Sequence, residues 1–232
     1  MALKSVYLPS PVVENDLIEI AGEEHHHLVV ARAAPGEKVE VFDGRGKVWE
    51  CVVFAVGKRS TSLRVERAST VPHPSIELIL GQALIRPAAF ESALEKAVEV
   101  GVTRIIPFVA SRSNVKLSRS DRWQRVIVEA AKQSKHFYLP IIDEPIQFQT
   151  ILGVSAASRI LFAEQGGRPL KSCLQGSPVL YLIGPEGGWT DEELESANRA
   201  GFSAVSLRSG ILRSETAALV GAALIRHELG DL

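Results

Sequence analysis

The stretch that decides the fold reads VLYLIGPEGG from Val179 to Gly188 and, one helix further on, VSLRSGILRSETAAL from Val205 to Leu219. Each half starts as an apolar run and ends in a polar loop containing glycine. Val179–Ile183 lacks a charged residue, as a strand covered on both faces should. Between the halves, Thr190-Asp-Glu-Glu193 is a capping-box sequence that opens a helix, and Gly201 ends it. Strand, helix, strand at this spacing predicts parallel pairing. Ligands of such sheets sit beyond the carboxyl ends of the strands. The predicted site is therefore the place where the GPEGG loop and the loop carrying Arg208, Arg213, Ser214, Glu215 and Thr216 adjoin.

Outward from this stretch the same rhythm continues. Ile76–Leu80, Arg104–Val109 and Arg159–Ala163 read as further strands. Pro87 starts a helix at its favoured first position, Gly101 stops it, and Phe90, Leu94, Ala97 and Val98 form its apolar face. Residues 119–135 read as a helix with Trp123, Val126, Ile127 and Ala130 on one side. Ser214 starts a final helix that runs to about Leu229. These alternations predict an α/β domain with a mostly parallel sheet and helices on both faces. The first seventy residues differ. Val6–Leu8, Leu17–Ile20, Lys38–Phe42, Val48–Val56 and Thr61–Glu66 are short strand-like runs, and Asp43-Gly44-Arg45-Gly46 is a hairpin signal. Glu23–Ala34 is the helical exception. A small β-barrel is expected there, and Pro72 and Pro74 mark a linker. The boundary falls between 1–71 and 72–232.

Composition sets limits. Of 232 residues, 46% are hydrophobic and 23% charged, ordinary for a soluble globular protein. Apolar runs are too short to span a bilayer. Lys4, Tyr7 and early prolines break any signal-peptide core, and Cys51 and Cys173 read as buried thiols, so a cytoplasmic protein is expected. The net charge is −1, which makes the whole chain no magnet for nucleic acid. Between Arg104 and His136, however, eight basic residues face only Asp121 and Glu129, a net of +6. That window suits a phosphate-rich partner. Its competing explanation is a solvated helix face with structural ion pairs. His25, His26 and His27 are adjacent on a helix and point in different directions, so no shared metal is expected.

The GPEGG loop is neither a dinucleotide fingerprint nor a P-loop, and the chain lacks a hydrolase nucleophile elbow. Two glycines before a capped helix expose backbone N–H groups to a ligand; a plain strand-to-helix turn explains the same residues. In the second loop, Ser214 and Thr216 can cap the helix and Glu215 suits its positive end. Arg213 has no such structural explanation, which makes it the stronger functional candidate.

Here a resemblance becomes specific. GPEGG after an apolar strand, followed by ILRSETAAL, resembles the RsmE family of small-subunit ribosomal RNA uridine N3-methyltransferases, within the SPOUT superfamily. LGQALIR (Leu80–Arg86), Glu91, Lys96 and Glu99-Val-Gly-Val102 are similar to the family's first block. Ser111-Arg-Ser113, Lys116, Arg122-Trp123 and Glu129-Ala-Ala-Lys-Gln-Ser134 are similar to its second. His26, Arg32, Gly36 and Phe42-Asp-Gly44 are similar to its N-terminal domain. The resemblance implies a PUA-like barrel, then a SPOUT domain whose C-terminal segment threads a trefoil knot, and a homodimer. It implies S-adenosylmethionine held at Leu182, Gly184, Glu186, Gly187, Gly188, Leu207, Ile211, Leu212 and Thr216. RNA contacts would come from His26, Arg32, Arg112, Lys116 and Arg122, on an assembled small subunit rather than naked RNA.

Two departures stand out. The family usually has glycine where this chain has Arg208, and an arginine shortly after Gln-Ser where this chain has Lys135-His136-Phe137-Tyr138. Lys135 or His136 would then take over a phosphate contact. The chemistry requires uracil N3 to lose its proton in line with a methyl donor. Arg213, then Arg112, are the candidates to stabilise the uracil anion, and Glu186 or Glu215 to take the proton. The sulfonium donor is already activated, so no metal is needed. A non-enzymatic RNA-binding or ribosome-assembly factor is the alternative, predicting RNA binding without cofactor binding.

Overall fold

A computed structural model describes residues 3–113, 122–164, 166–207 and 210–231. The chain forms two compact units: residues 1–73 with 131–139, and residues 74–130 with 140–232.

In the first unit, β1 (Lys4–Tyr7), β2 (Leu17–Ala21), β3 (Lys38–Phe42), β4 (Lys47–Val56) and β5 (Ser60–Thr70) form one sheet in the order β1-β3-β4-β5-β2. Among the described strands of this sheet, only β1 and β3 pair in parallel. Register shifts at Glu50/Cys51 and Val53/Ala55 let β4 bend, so the sheet curls over its own apolar face. That face holds Val6, Ile18, Ile20, Val39, Val41, Trp49, Cys51, Val53 and Leu63, with Leu28 of α1 (Gly22–Val30) packed against them. The hairpin predicted at Asp43–Gly46 is present: Asp43 Oδ1 accepts from the N–H groups of Arg45 and Lys47. β5 runs to Thr70, past the expected Glu66, and α1 ends four residues before Ala34. Residues 131–139 belong to this unit because backbone and rings fasten them: Gly46 N–H donates to Phe137 O, Leu139 N–H to Gly44 O, and Phe137 meets Phe42 edge-on.

The second unit is the expected α/β domain. Its strands are β6 (Leu78–Ala83), β7 (Arg104–Val109), β8 (Ile141–Ile142), β9 (Ile146–Gln147), β10 (Ser158–Phe162), β11 (Val179–Ile183) and β12 (Ser203–Val205). They run in the order β12-β10-β11-β6-β7-β8, with β9 also on β7, and all the described pairs are parallel. On one face lie α4 (Phe148–Ile151) and α5 (Asp191–Arg199), which bury Leu180, Leu182, Ile106 and Phe108 beneath Phe148, Ile151 and Ala197. On the other lie α2 (Pro87–Glu99) and α6 (Ser214–Glu228), which pack together. Tyr181 points to that side, fully buried, and donates its hydroxyl to Ala218 O of α6 at 3.2 Å. Burial pushes its pKa upward. α3 (Arg122–Ser134) carries Trp123, Ile127 and Ala130 inward, as its periodicity predicts. The very short β8, β9 and α4, and a 3-10 turn at Leu170–Cys173, were not expected, because two to four residues carry no periodicity. Both cysteines are free and buried, and among the described residues no helix is long and apolar enough to cross a membrane.

Four of the eight basic residues in this window form ion pairs. Arg104 pairs with Asp143 at 2.7 Å, Arg122 with Glu91 at 3.0 Å and Lys132 with Glu24 at 3.2 Å. The Lys135 ammonium donates to Leu3 O, Ser5 Oγ and Glu40 Oε1. All three of its protons therefore have acceptors, which removes it as a substitute phosphate ligand.

Candidate functional site

The carboxyl ends of β10 and β11, the loop after β12 and the start of α6 converge on one cavity of about 530 Å3. This lies within the roughly 300–1,000 Å3 usual for small-molecule clefts. Phe162, Ala163 and Glu164 line it from β10, and Ile183 through Glu186, with Gly188 and Trp189, from β11 and its loop. Leu207 and Gly210 through Glu215 supply the opposite wall, and Arg86 stands at the edge. The two loops singled out in the sequence are thus two walls of one cavity.

The GPEGG loop is shaped by close contacts. Gly184 lies against Trp189: a Cβ there would sit 2.9 Å from the indole Cε2. The indole cannot easily yield. Its Nε1–H donates to Phe162 O at 2.8 Å, and its ring stacks on Phe108 at 6.0 Å and 7°. Gly188 turns with φ +71°, a left-handed conformation that side chains resist. Arg112 clasps the loop from outside, donating from Nη1 to Gly187 O at 2.8 Å and to Trp189 O at 3.2 Å. It is aimed by Glu193, which is 3% exposed. Glu193 closes the predicted capping box of α5 with Thr190, and its other oxygen accepts from Ser111 N–H at 2.8 Å. A residue expected only to cap a helix therefore also fixes the loop that delivers Arg112.

The opposite wall differs from expectation in one respect. Arg213, not Ser214, is the N-cap of α6, and no side chain caps it. Ser214 instead turns its hydroxyl to Gly184 O at 2.7 Å and accepts from Gln82 Nε2 at 2.9 Å. Arg213 is exposed on the cavity wall, and among the described residues its guanidinium has no partner. Glu215 lies beside it. Glu186 is held by Arg86 Nε at 3.1 Å.

Of the residues predicted to hold a cofactor, Gly184, Glu186, Gly188, Leu207, Ile211 and Leu212 line the cavity. Leu182 is fully buried in the core under the sheet, Gly187 faces Arg112, and Thr216 lies in the first turn of α6 off the cavity lining. His26 and Arg32 are exposed in the first unit, Arg32 with φ +53°, while Arg112 and Arg122 are in the second. Lys116 and Arg208 lie outside the described residues. Missed by sequence reasoning were Glu164, Phe162, Arg86 and Trp189. The rule that ligands gather at strand ends would have indicated the first two, at the end of β10. Trp189 directly follows GPEGG, and Arg86 ends the LGQALIR block.

The cavity can take a ligand that carries charge as well as apolar surface, since Arg86, Arg213, Glu164, Glu186 and Glu215 line it together with Phe162, Trp189, Leu207 and Leu212. Comparison with known proteins identifies the class. Residues 72–226 match the RNA methyltransferase domain, and residues 20–66 match the RNA methyltransferase PUA domain. The ribosomal RNA small subunit methyltransferase E of Rickettsia conorii is 29% identical over 97% of this chain and 96% of its own length. That of Synechocystis sp. is 30% identical over 97% of this chain and 77% of its own. The crystal structure of the Neisseria gonorrhoeae enzyme of the same name, bound to S-adenosyl methionine, superposes with a TM-score of 0.91 at 28% identity, covering 97% of this chain and 98% of that one. The chain belongs to the ribosomal RNA small subunit methyltransferase E family.

Proposed function

We propose that the protein transfers a methyl group from S-adenosylmethionine to N3 of a uridine in small-subunit ribosomal RNA. The observation that carries the reading is the cavity walled by the GPEGG and RSET loops, in a fold shared with a Neisseria relative whose structure is bound to S-adenosyl methionine. The residues present fit the group. Gly210 lines the cavity with nothing within 4 Å of its Cβ position, which leaves main chain open to a ligand, and Glu164, Glu186 and Glu215 offer carboxylates to its cationic centres. When bound, S-adenosylmethionine supplies an activated methyl on a positively charged sulfur.

The protein's own part is to bind, orient and handle one proton. Uracil N3 is a poor nucleophile until deprotonated, so a cation beside O2 or O4 lowers the barrier by stabilising the anion. Arg213 is that cation: it stands on the cavity wall with no competing partner among the described residues. Arg112 holds the loop carbonyls and acts by positioning. Of the two predicted proton acceptors, Glu186 is engaged by Arg86, which leaves Glu215 for that role. Gly184, Gly188, Leu207, Ile211 and Leu212 form the cofactor walls, with Leu182, Gly187 and Thr216 supporting them from behind. Positioning of the two reactants is itself a large part of such catalysis, roughly 7–11 kcal/mol.

The finer features belong to the same proposal. α6 packs on β6, β11 and α2, and the segment that leads into it is proposed to thread a trefoil knot. Two copies form the working enzyme. Residues 1–71 dock RNA, with His26 and Arg32 at that surface, and residues 72–232 carry the reaction, with Arg122 beside it. The substrate is the assembled small subunit in the cytoplasm, and its target uridine is presented unpaired. Nucleoside mass spectrometry of small-subunit RNA from a deletion strain tests the reading: one N3-methyluridine should disappear, and an unchanged profile refutes it. Calorimetric titration with S-adenosylmethionine separates it from an RNA-binding assembly factor, which would not bind the cofactor.

A further inference from the structure

We infer that Gln82 is a positioning residue for the methyl transfer: through the Ser214 hydroxyl it fastens the Gly184 carbonyl to the start of α6 and so holds the two cavity walls in register. The inference rests on the reading of this cavity as a S-adenosylmethionine site.

Gln82 lies in β6, fully buried, and is not among the residues lining the cavity. Its Nε2 donates to Ala83 O at 3.1 Å and to Ser214 Oγ at 2.9 Å. The orientation of this amide is determined by its neighbours. Ala83 O can only accept, so the NH2 group must face it; a flipped amide would set two acceptors against each other. Because the amide donates to Ser214, the single hydroxyl proton of Ser214 is left for Gly184 O, at 2.7 Å. The chain of donation thus runs one way, from Gln82 through Ser214 to Gly184.

Its two ends sit on different loops. Ser214 follows Arg213 directly and opens α6; Gly184 opens the GPEGG loop; both line the cavity. The relay replaces the missing side-chain cap of α6 as the device that fixes this helix start. It also commits the only Ser214 hydroxyl proton to Gly184 O. A purely structural role is a poor fit. Gln82 Oε1 has no hydrogen-bond partner among the described residues, a defect that an apolar side chain in the same core position would not have. Incompletely satisfied buried groups are retained where a fixed geometry matters more than stability.

The test is a double-mutant cycle on the full chain, reading the dissociation constant of S-adenosylmethionine by calorimetry and the melting temperature alongside. Gln82→Met and Ser214→Ala should each weaken cofactor binding about tenfold, the order of one hydrogen bond. The double variant should also lose about tenfold, because both changes break one relay. Ser214→Thr, which keeps the hydroxyl, should recover affinity to within about threefold. A hundredfold loss in the double variant overturns the relay, since independent contacts multiply. Melting temperatures that fall while affinity stays at the wild-type value overturn it as well, leaving a structural role only. If Gln82→Met does not fold, Ser214→Ala decides alone: unchanged affinity refutes the inference. A wild-type protein that fails to bind the cofactor refutes the cofactor reading itself, and the relay's role falls with it.

Discussion

Replacing Gly184 with alanine should damage both the fold and the cofactor site, through one atom. The added Cβ would lie 2.9 Å from Trp189 Cε2 and 3.1 Å from Nε1. Both are below ordinary van der Waals separation, and the ring is fixed on three sides. Its N–H donates to Phe162 O, Phe108 stacks under it, and Phe148 leans on it at 5.5 Å. Either the indole shifts and loses its hydrogen bond, or the GPEGG loop moves into the cavity. Overpacking of this kind costs about 1–3 kcal/mol. At about 2–4 °C per kcal/mol for a chain of this size, the melting temperature should fall by about 2–12 °C. Cofactor affinity should drop at least about fivefold, because the displaced loop is a cavity wall. Differential scanning fluorimetry and calorimetry read the two effects. Gly153→Ala is the control: its Cβ would meet Thr150 O at 3.4 Å, an ordinary contact, so it should stay within about 0.5 kcal/mol of wild type. A Gly184→Ala protein with wild-type melting and wild-type affinity would refute the account of this loop.

Other perturbations separate the remaining roles. Arg213→Ala should lower single-turnover methyl transfer about 100- to 1,000-fold while cofactor affinity changes less than about threefold; equal losses in both would make Arg213 a binding residue. Arg112→Ala removes two hydrogen bonds to loop carbonyls, so cofactor affinity should fall about tenfold, and Arg112→Lys should recover it only in part because a single ammonium does not reproduce the guanidinium's planar reach. Burial pushes the Cys51 thiol up to about 12 from an ordinary 9.0. The folded chain then keeps a proton that the unfolded chain releases, so this contribution is complete below pH 9.0 and declines between there and pH 12. The slope is up to ~1.4 kcal/mol per pH unit. Denaturant titrations across that range should show Cys51→Ala declining less steeply than wild type.

The elements with strong periodicity were legible before any coordinates: β7 and β11 match their expected spans, and the capping box at Thr190 and Glu193 is closed as the sequence implies. What escaped were interactions that join distant positions. Nothing in the pattern around Lys132 and Lys135 shows that they pair with Glu24 and Glu40, more than ninety residues away, and so the basic window overstated the charge available to RNA. Ser214 looked like a helix cap because local spacing allows it. Its partner Gln82 lies 132 residues earlier, and a buried hydrogen bond from that side-chain amide outcompetes a local turn for the hydroxyl. Glu164 went unnoticed because it carries no motif and gains meaning only from the alignment of β10 with β11. By contrast, Arg213 was singled out by elimination; its side chain caps nothing at the helix start, and it lines the cavity.

The central claim is tested most directly by supplying methyl-labelled S-adenosylmethionine and the purified protein to small ribosomal subunits from a strain lacking the corresponding gene. Digested nucleosides are then separated by mass. One labelled N3-methyluridine per subunit is predicted, absent when Arg213→Ala protein is used for the same short incubation. No transferred label, or label in any other nucleoside, would contradict the account.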